Sequence, residues 1–366
     1  MIPLFEHYPP LGHRLPYVSL GEFPTPVQKL QHLGKDMGLN HLYIKRDDLS
    51  GKVYGGNKTR KLEFLLGNAL STKVKEVLTF GYAGSNHCLA TAIYAQQVGL
   101  RSISMLMPQP NAHYVRRNLL MSHYCGAEFH QYVSIPFVAL GTIYQFPRHG
   151  LKRGRFPQFI PPGGSSPLGT VGFVNAAFEL KEQIMKGEIP EPDYIYVASG
   201  TTGTAVGLML GLRAASLKSR VISVRVADEQ FVNVRKMAKL FHKTNSLLCS
   251  LDPSFPKFQF SEKDVDLRHG FFGQQYALFT KEGMEAVTRM EKTEGIKLEG
   301  TYTGKAFAGL IDDVEKRDLE DKVLLFWQTH NSRDFSEAIA TVDYHQLPQP
   351  FHRYFEEEVQ PLDTHS

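Results

Sequence analysis

The sequence predicts an α/β fold built on a mostly parallel sheet, and three features carry the prediction. Short apolar runs such as residues 194–198 and 323–327 read as buried strands. Longer stretches of helical period alternate with them, the pattern of strands joined through helices. Glycine-rich turns stand where strand passes into helix, at residues 81–87 and 199–204. With 366 residues, 42% hydrophobic and 21% charged, the chain has a globular composition and room for about two domains.

Taken in order, residues 1–27 are punctuated by prolines and read as an irregular lead-in. Thr25 ahead of Pro26 predicts a helix cap, with Val27, Leu30 and Leu33 in the helix. Residues 42–44 read as a strand, followed by the charged turn Lys45-Arg46-Asp47-Asp48. Then comes Tyr54-Gly55-Gly56-Asn57-Lys58, whose glycines allow a tight turn beside a flat ligand. Lys58 stands where that turn enters a helix bearing Leu62, Leu65, Leu66, Ala69 and Leu70 at helical spacing. A lysine fixed at such a joint serves as a nucleophilic amine if its pKa falls. Taken alone, it reads first as a solvated charge at a basic helix start.

The strand at 74–80 ends in Gly81-Tyr82-Ala83-Gly84-Ser85-Asn86-His87. Ser85 or Asn86 caps the next helix, which runs to Gly99, and its free N–H groups suit an anionic group. Residues 101–107 form a strand, 118–125 a helix and 128–133 an extended segment. A proline-glycine cluster at 160–169 leads into a helix over 171–186 and a linker at 187–192. The strand 194–198 ends in Ser199-Gly200-Thr201-Thr202-Gly203-Thr204, before a helix at 205–215 and a strand at 221–226. That turn lacks both the Gly-Lys-Ser/Thr of a P-loop and the Gly-x-Gly-x-x-Gly of a dinucleotide site. Its amides and hydroxyls suit a single phosphate, with a plain strand-to-helix turn as the alternative. Residues 237–270 carry no clear pattern. An amphipathic helix at 281–293 stops at Gly295, a helix at 306–313 follows Thr301-Tyr302-Thr303-Gly304-Lys305, and the strand 323–327 ends in Gln328-Thr329-His330-Asn331. From Tyr344 the chain reads as a peripheral tail.

A net charge of +4 without any basic, aromatic-interleaved run excludes nucleic acid. No apolar run is long enough to span a bilayer, and residues 1–10 lack a signal-peptide pattern. Cys88, Cys125 and Cys249 are an odd number without paired spacing, which predicts reduced thiols and a cytoplasmic protein. Fifteen histidines form no His-Glu-x-x-His and no Cys-x-x-Cys pattern exists, so no metal is expected.

In this order the segments resemble the pyridoxal-phosphate enzymes of the 1-aminocyclopropane-1-carboxylate deaminase and D-cysteine desulfhydrase family. The most specific match is Lys45-Arg46-Asp47-Asp48-Leu49 followed by Gly55-Gly56-Asn57-Lys58-Thr59-Arg60-Lys61-Leu62-Glu63. Ser85-Asn86-His87, the 160–169 cluster, the 199–207 turn and Tyr302-Thr303-Gly304-Lys305-Ala306 match in family order. The resemblance implies a fold type II enzyme: two open twisted, mostly parallel sheets flanked by helices, with the active site between domains. It implies a large domain of residues 1–70 and 187–345, a smaller α/β domain of 71–186 inserted in it, and a peripheral tail at 346–366.

The cofactor it implies is pyridoxal 5'-phosphate, and the partners are a small amino-acid substrate and a second copy in a homodimer. Lys58 corresponds to the lysine that holds the cofactor covalently and acts as base. Ser85, Asn86 and His87 match the loop for the substrate carboxylate, with Asn86 also near the cofactor. Gly200, Thr201, Thr202, Gly203 and Thr204 match the phosphate turn. Tyr276 and Tyr302 join Ser85 among the catalytic residues, and Thr303 matches the residue facing the pyridine nitrogen. The implied reaction is β-elimination from D-cysteine to pyruvate, hydrogen sulfide and ammonia. The alternative is opening of 1-aminocyclopropane-1-carboxylate to 2-oxobutanoate and ammonia. Thr303, where those deaminases carry glutamate, points to the desulfhydrase branch. His330-Asn331 replaces a pair of glycines beside the cofactor ring, which leaves a cofactor-binding protein impaired in turnover as a third reading.

Overall fold

The computed structural model describes residues 2–364. In chain order the strands are β1 (Val27–Lys29), β2 (His41–Lys45), β3 (Glu76–Tyr82), β4 (Arg101–Met107), β5 (Glu128–Gln131), β6 (Gln158–Ile160), β7 (Tyr194–Ser199), β8 (Arg220–Arg225), β9 (Asp266–Arg268) and β10 (Val323–Trp327). They make a six-stranded sheet, β1-β2-β10-β7-β8-β9, and a four-stranded sheet, β5-β4-β3-β6. Only β1 against β2 is antiparallel among these pairings. The longer helices are α1 (Lys58–Ser71), α2 (Asn86–Gln97), α3 (His113–Tyr124), α4 (Ile135–Arg153), α5 (Pro167–Met185), α6 (Gly203–Ala214), α7 (Val234–Leu251), α8 (Lys281–Glu294) and α9 (Thr303–Lys316). Leu324 to Trp327 of β10 are all buried, the mark of a strand covered on both faces. The α/β class and the two mostly parallel sheets agree with the sequence reading.

Two expectations are corrected. Residues 27–29 form β1 rather than a helix, because Val27, Gln28 and Lys29 pair with Lys45, Ile44 and Tyr43. Thr25 is unavailable as a cap, since its hydroxyl donates to Asp47 Oδ1 at 2.8 Å. Helices α4 and α7 occupy segments in which no helix was expected. Val171, Phe173, Val174 and Phe178 of α5 share a core with Ile195, Leu325 and Trp327 of the larger sheet. Within the segment expected as a tail, whose last two residues lie outside the described ones, Phe351 and Tyr354 are buried, and the Tyr354 backbone carbonyl accepts from Arg116 of α3 at 2.6 Å.

Beneath the turn that leads to Lys58 lies a buried ionic cluster. Arg60 donates to Asp47 at 2.7 and 2.9 Å and to Glu179 of α5 at 2.8 and 2.9 Å. Lys45 donates to Glu179 at 2.6 Å, and the Trp327 indole donates to Asp47 at 2.7 Å. The charged residues of the Lys45 and Asn57 motifs thus meet as one structural unit that fixes the chain on both sides of the turn.

Candidate active site

The carboxyl ends of parallel strands from both sheets open onto one cavity of about 530 Å³. Phe80, Gly81 and Tyr82 of β3, Ser199 of β7 and Thr329 and His330 beyond β10 all line it. This is where open α/β sheets bind ligands, since side chains and loops leave the sheet there while the backbone hydrogen bonds end.

Lys58 is the first residue of α1 and lines the cavity. Its ammonium donates to Asn57 Oδ1 at 2.8 Å, and Asn57 Nδ2 donates to Thr204 Oγ1 at 3.0 Å. The lysine is thereby tied across the cavity to the glycine-threonine turn. Burial lowers its pKa to about 8, with the Glu299 carboxylate partly opposing the shift. At that value about a tenth of the amine is free base at pH 7. The glycine pair beside it is required by close approach: a Cβ on Gly56, at φ +93°, would lie 2.8 Å from the Thr329 carbonyl oxygen.

The turn from Ser199 to Thr204 lies at the N-terminus of α6, with Thr202 in the left-handed region at φ 64°. Thr201, Thr202, Gly203 and Thr204 line the cavity, and the buried Ser199 hydroxyl has no partner. A Cβ on Gly203 would lie 2.9 Å from Lys61 Nζ, and one on Gly200 3.1 Å from the Tyr302 ring. Lys61, one helical turn after Lys58, points its ammonium into this cradle. It donates to the Gly163 carbonyl at 3.1 Å and to Ser165 Oγ at 3.3 Å. Among the described residues it meets no carboxylate, and burial together with the Lys58 charge pulls its pKa well down. An anion seated on this nest of backbone amides would restore the charged form of Lys61 and pair with it. Sequence reading missed Lys61, whose partners lie more than a hundred residues downstream.

On the opposite wall, Ser85 caps α2 by accepting from the Cys88 N–H at 3.2 Å. Ser85, Asn86 and His87 all line the cavity. The first N–H groups of a helix are free of intrahelical partners, and α2 directs its positive pole here. Asn86 Oδ1 accepts from Asn118 at 2.8 Å, which fixes the loop. His87 pairs with Thr79 at 2.9 Å, and burial with the Lys58 and Lys61 charges holds its pKa well down, so the ring is neutral. Burial pushes the Cys88 thiol up to about 11, which leaves it protonated.

Tyr276 and Tyr302 meet through their hydroxyls, and Tyr276 stacks on Tyr82 with ring centroids 4.3 Å apart. Burial raises both phenols, so both keep their protons. Thr303 starts α9 but is fully buried outside the cavity lining, and its hydroxyl accepts from the Glu299 N–H at 2.9 Å. Glu299 lines the cavity in its place, its carboxylate accepting from the N–H groups of Thr301, Tyr302 and Thr303 at 2.6–2.9 Å. Of the His330-Asn331 pair, only His330 lines the cavity. Asn331 turns away and accepts from the Gly55 N–H at 2.6 Å. Burial and the Arg117 charge lower the His330 pKa to about 3, leaving the ring neutral.

Residues 18–328 match the family model described as "Pyridoxal-phosphate dependent enzyme". The chain belongs to this family. It is 33% identical to a bifunctional D-cysteine desulfhydrase/1-aminocyclopropane-1-carboxylate deaminase of Arabidopsis thaliana, over 85% of this chain and 77% of that protein. It is also 33% identical to a D-cysteine desulfhydrase of Salmonella choleraesuis, over 87% of this chain and 96% of that one. A crystal structure of an ACC deaminase homologue superposes with a TM-score of 0.75 at 33% identity, covering 91% of this chain and 98% of that one. The fold is therefore that of fold type II pyridoxal-phosphate enzymes, and the chain is a pyridoxal-phosphate-dependent enzyme.

The residues present fit that cofactor: the buried Lys61 amine, which meets no carboxylate among the described residues, and the orphaned Ser199 hydroxyl face a cradle kept open by Gly200 and Gly203. Lys61→Met is expected to weaken pyridoxal-phosphate affinity by about 10–100-fold, since a charge-assisted bond to phosphate is lost while Lys58 stays in place. Equilibrium titration of the apoprotein checks this, and unchanged affinity would assign the phosphate elsewhere. Away from the cavity, Glu128, His130 and His149 offer possible ligand atoms within 4.8 Å of one another. Arg148 lies 3.2 Å from Glu128, and Arg153 lies 3.1 Å from Glu76, which itself pairs with His149, so this cluster carries its own counter-charges. No helix among the described residues is long and apolar enough to cross a membrane.

Proposed function

We propose that this enzyme catalyses β-elimination on a small amino acid, with D-cysteine the leading substrate, releasing pyruvate, hydrogen sulfide and ammonia. The observation that carries the reading is one lysine of lowered pKa set between two anion seats in a single cavity. One seat, the 199–204 turn with Lys61, holds a phosphate. The other, the α2 N-terminus with Ser85, Asn86 and His87, holds the substrate carboxylate and turns the α-carbon toward Lys58. Pyridoxal phosphate, when bound, supplies the conjugated ring that takes up negative charge from the α-carbon. Lys58 would hold the cofactor through its amine, and as a free base would take the proton from the substrate α-carbon. Tyr276 and Tyr302 keep their protons and so can hand a hydrogen bond to the departing sulfur. Thr303, buried behind Glu299, would act on the ring end of the cofactor space through the start of α9 and Glu299, whose main-chain N–H its hydroxyl holds. The outward turn of Asn331 supports turnover over impairment, because one neutral imidazole, not two side chains, borders the cofactor space.

The relatives named as cyclopropane deaminases make ring opening to 2-oxobutanoate the second reading. Purified holoenzyme given D-cysteine should release pyruvate and sulfide in equal amounts. 2-Oxobutanoate from the cyclopropane acid with no pyruvate from D-cysteine would reverse the order, and neither product would sink both. The reading includes a cytoplasmic homodimer, supported for the compartment by three unpaired cysteines. It also includes a two-domain chain, with the smaller unit ending before α5, where core packing changes sheets.

A further inference from the structure

The cavity continues past the two anion seats into a compartment between α4 and the smaller sheet. Phe80, Met105, Met107, Val138, Ile143 and Phe159 line it. The Phe80 and Phe159 rings sit 4.7 Å apart, Met105 and Val138 are buried, and Phe159 and Ile143 are 49% and 71% exposed. The one hydroxyl on the α4 wall, Thr142, donates to the Val138 carbonyl at 2.7 Å inside its own helix. This wall therefore offers neither charge nor free donor to a substrate. Apolar surface of this extent, continuous with a ligand site, lowers its free energy by covering itself with an apolar group. Cysteine itself carries no apolar group with which to cover this wall.

We propose that this compartment seats a bulky apolar substituent on the substrate's β-sulfur, so that the enzyme acts on S-alkyl or S-arylmethyl cysteines. The proposal rests on the elimination reading and deepens it. The reaction balances without an oxidant: the Cβ–S bond breaks with its electron pair on sulfur, and the thiolate takes a proton. The three-carbon remainder takes up one water to give pyruvate and ammonia.

Two measurements on the holoenzyme test it. Pyruvate release from S-methyl- and S-benzylcysteine, in both D and L forms, should show a kcat/KM at least about tenfold higher for the benzyl compound. In Ile143→Glu that preference should fall by about tenfold, because a charge now borders the ring. Separately, 2-amino-5-phenylpentanoate, which has no leaving group, should perturb the bound cofactor's absorbance with a Kd at least about tenfold below that of 2-aminobutanoate. Equal Kd values, or a benzyl preference untouched by Ile143→Glu, would overturn the proposal. Tight binding of the phenyl compound without pyruvate from any substrate would leave the compartment standing and remove the elimination reading.

Discussion

Lys58→Ala is expected to lower kcat for pyruvate release by at least about a thousandfold, since it removes both the covalent anchor and the base. The cofactor should still enter, because the phosphate seat and Lys61 remain, but borohydride should no longer fix it to the chain. The contrast with Lys61→Met separates the two lysines, which stand one helical turn apart on the same wall. That variant should bind the cofactor weakly yet still be labelled covalently. The apoprotein gives a second reading of the same amine. Only the free base attacks an aldehyde, and Lys58 has a pKa of about 8. Covalent capture of pyridoxal phosphate should therefore speed up about tenfold per pH unit below pH 8 and level off above it. Label found on another lysine, or capture without that break, would move the role away from Lys58.

Much of this site was legible because its motifs sit where strands end. Strand patterns at 194–198 and 323–327 matched β7 and β10, and the glycine-threonine turn followed directly. What failed to show was whatever depends on partners distant in sequence. Lys61 looks like one more charge in a basic helix until Gly163 and Ser165 are folded against it. Glu299 looks like a surface acid until the start of α9 wraps three N–H groups around it. Helix α4 was left unassigned, and its segment carries Pro136 and Pro147, residues that disfavour a helix interior. Pro136 in fact opens the helix, where a missing N–H costs nothing. That omission concealed the apolar wall, and with it the strongest pointer to substrate size. In the opposite direction, Thr25 beside Pro26 gave a clear cap signal, yet its hydroxyl is engaged by Asp47 and Arg60 and the segment joins the sheet edge. Tertiary pairing overrode the local preference.

Glu179→Gln is expected to destabilise the fold by about 3–5 kcal/mol, because it strands the buried Lys45 ammonium and leaves buried Arg60 with Asp47 as its one carboxylate. Arg60 and Lys45 are 1% and 0% exposed, and Glu179 is the acid they share. Burial alone would raise the Glu179 carboxyl, yet Arg60 and Lys45 outweigh it and hold it at about 2. The sign of the pH dependence follows. A depressed carboxyl contributes stability above its unfolded pKa near 4.3, and loses it as pH falls toward 2. The stability gap between wild type and Glu179→Gln should therefore be full at pH 5–7 and close steadily below pH 4, in denaturant titrations run across that range. Adding Lys45→Met to Glu179→Gln removes that stranded cation, so the double variant should be less damaged than the sum of the single ones. Strict additivity would mean that Lys45 and Glu179 act separately. The consequence reaches the active site, since Asp47 also accepts the Gly56 N–H at 2.6 Å and Arg60 lies two residues after Lys58. A loosened cluster should slacken the turn that aims the amine, and cofactor capture should slow in Glu179→Gln even at temperatures where the protein stays folded.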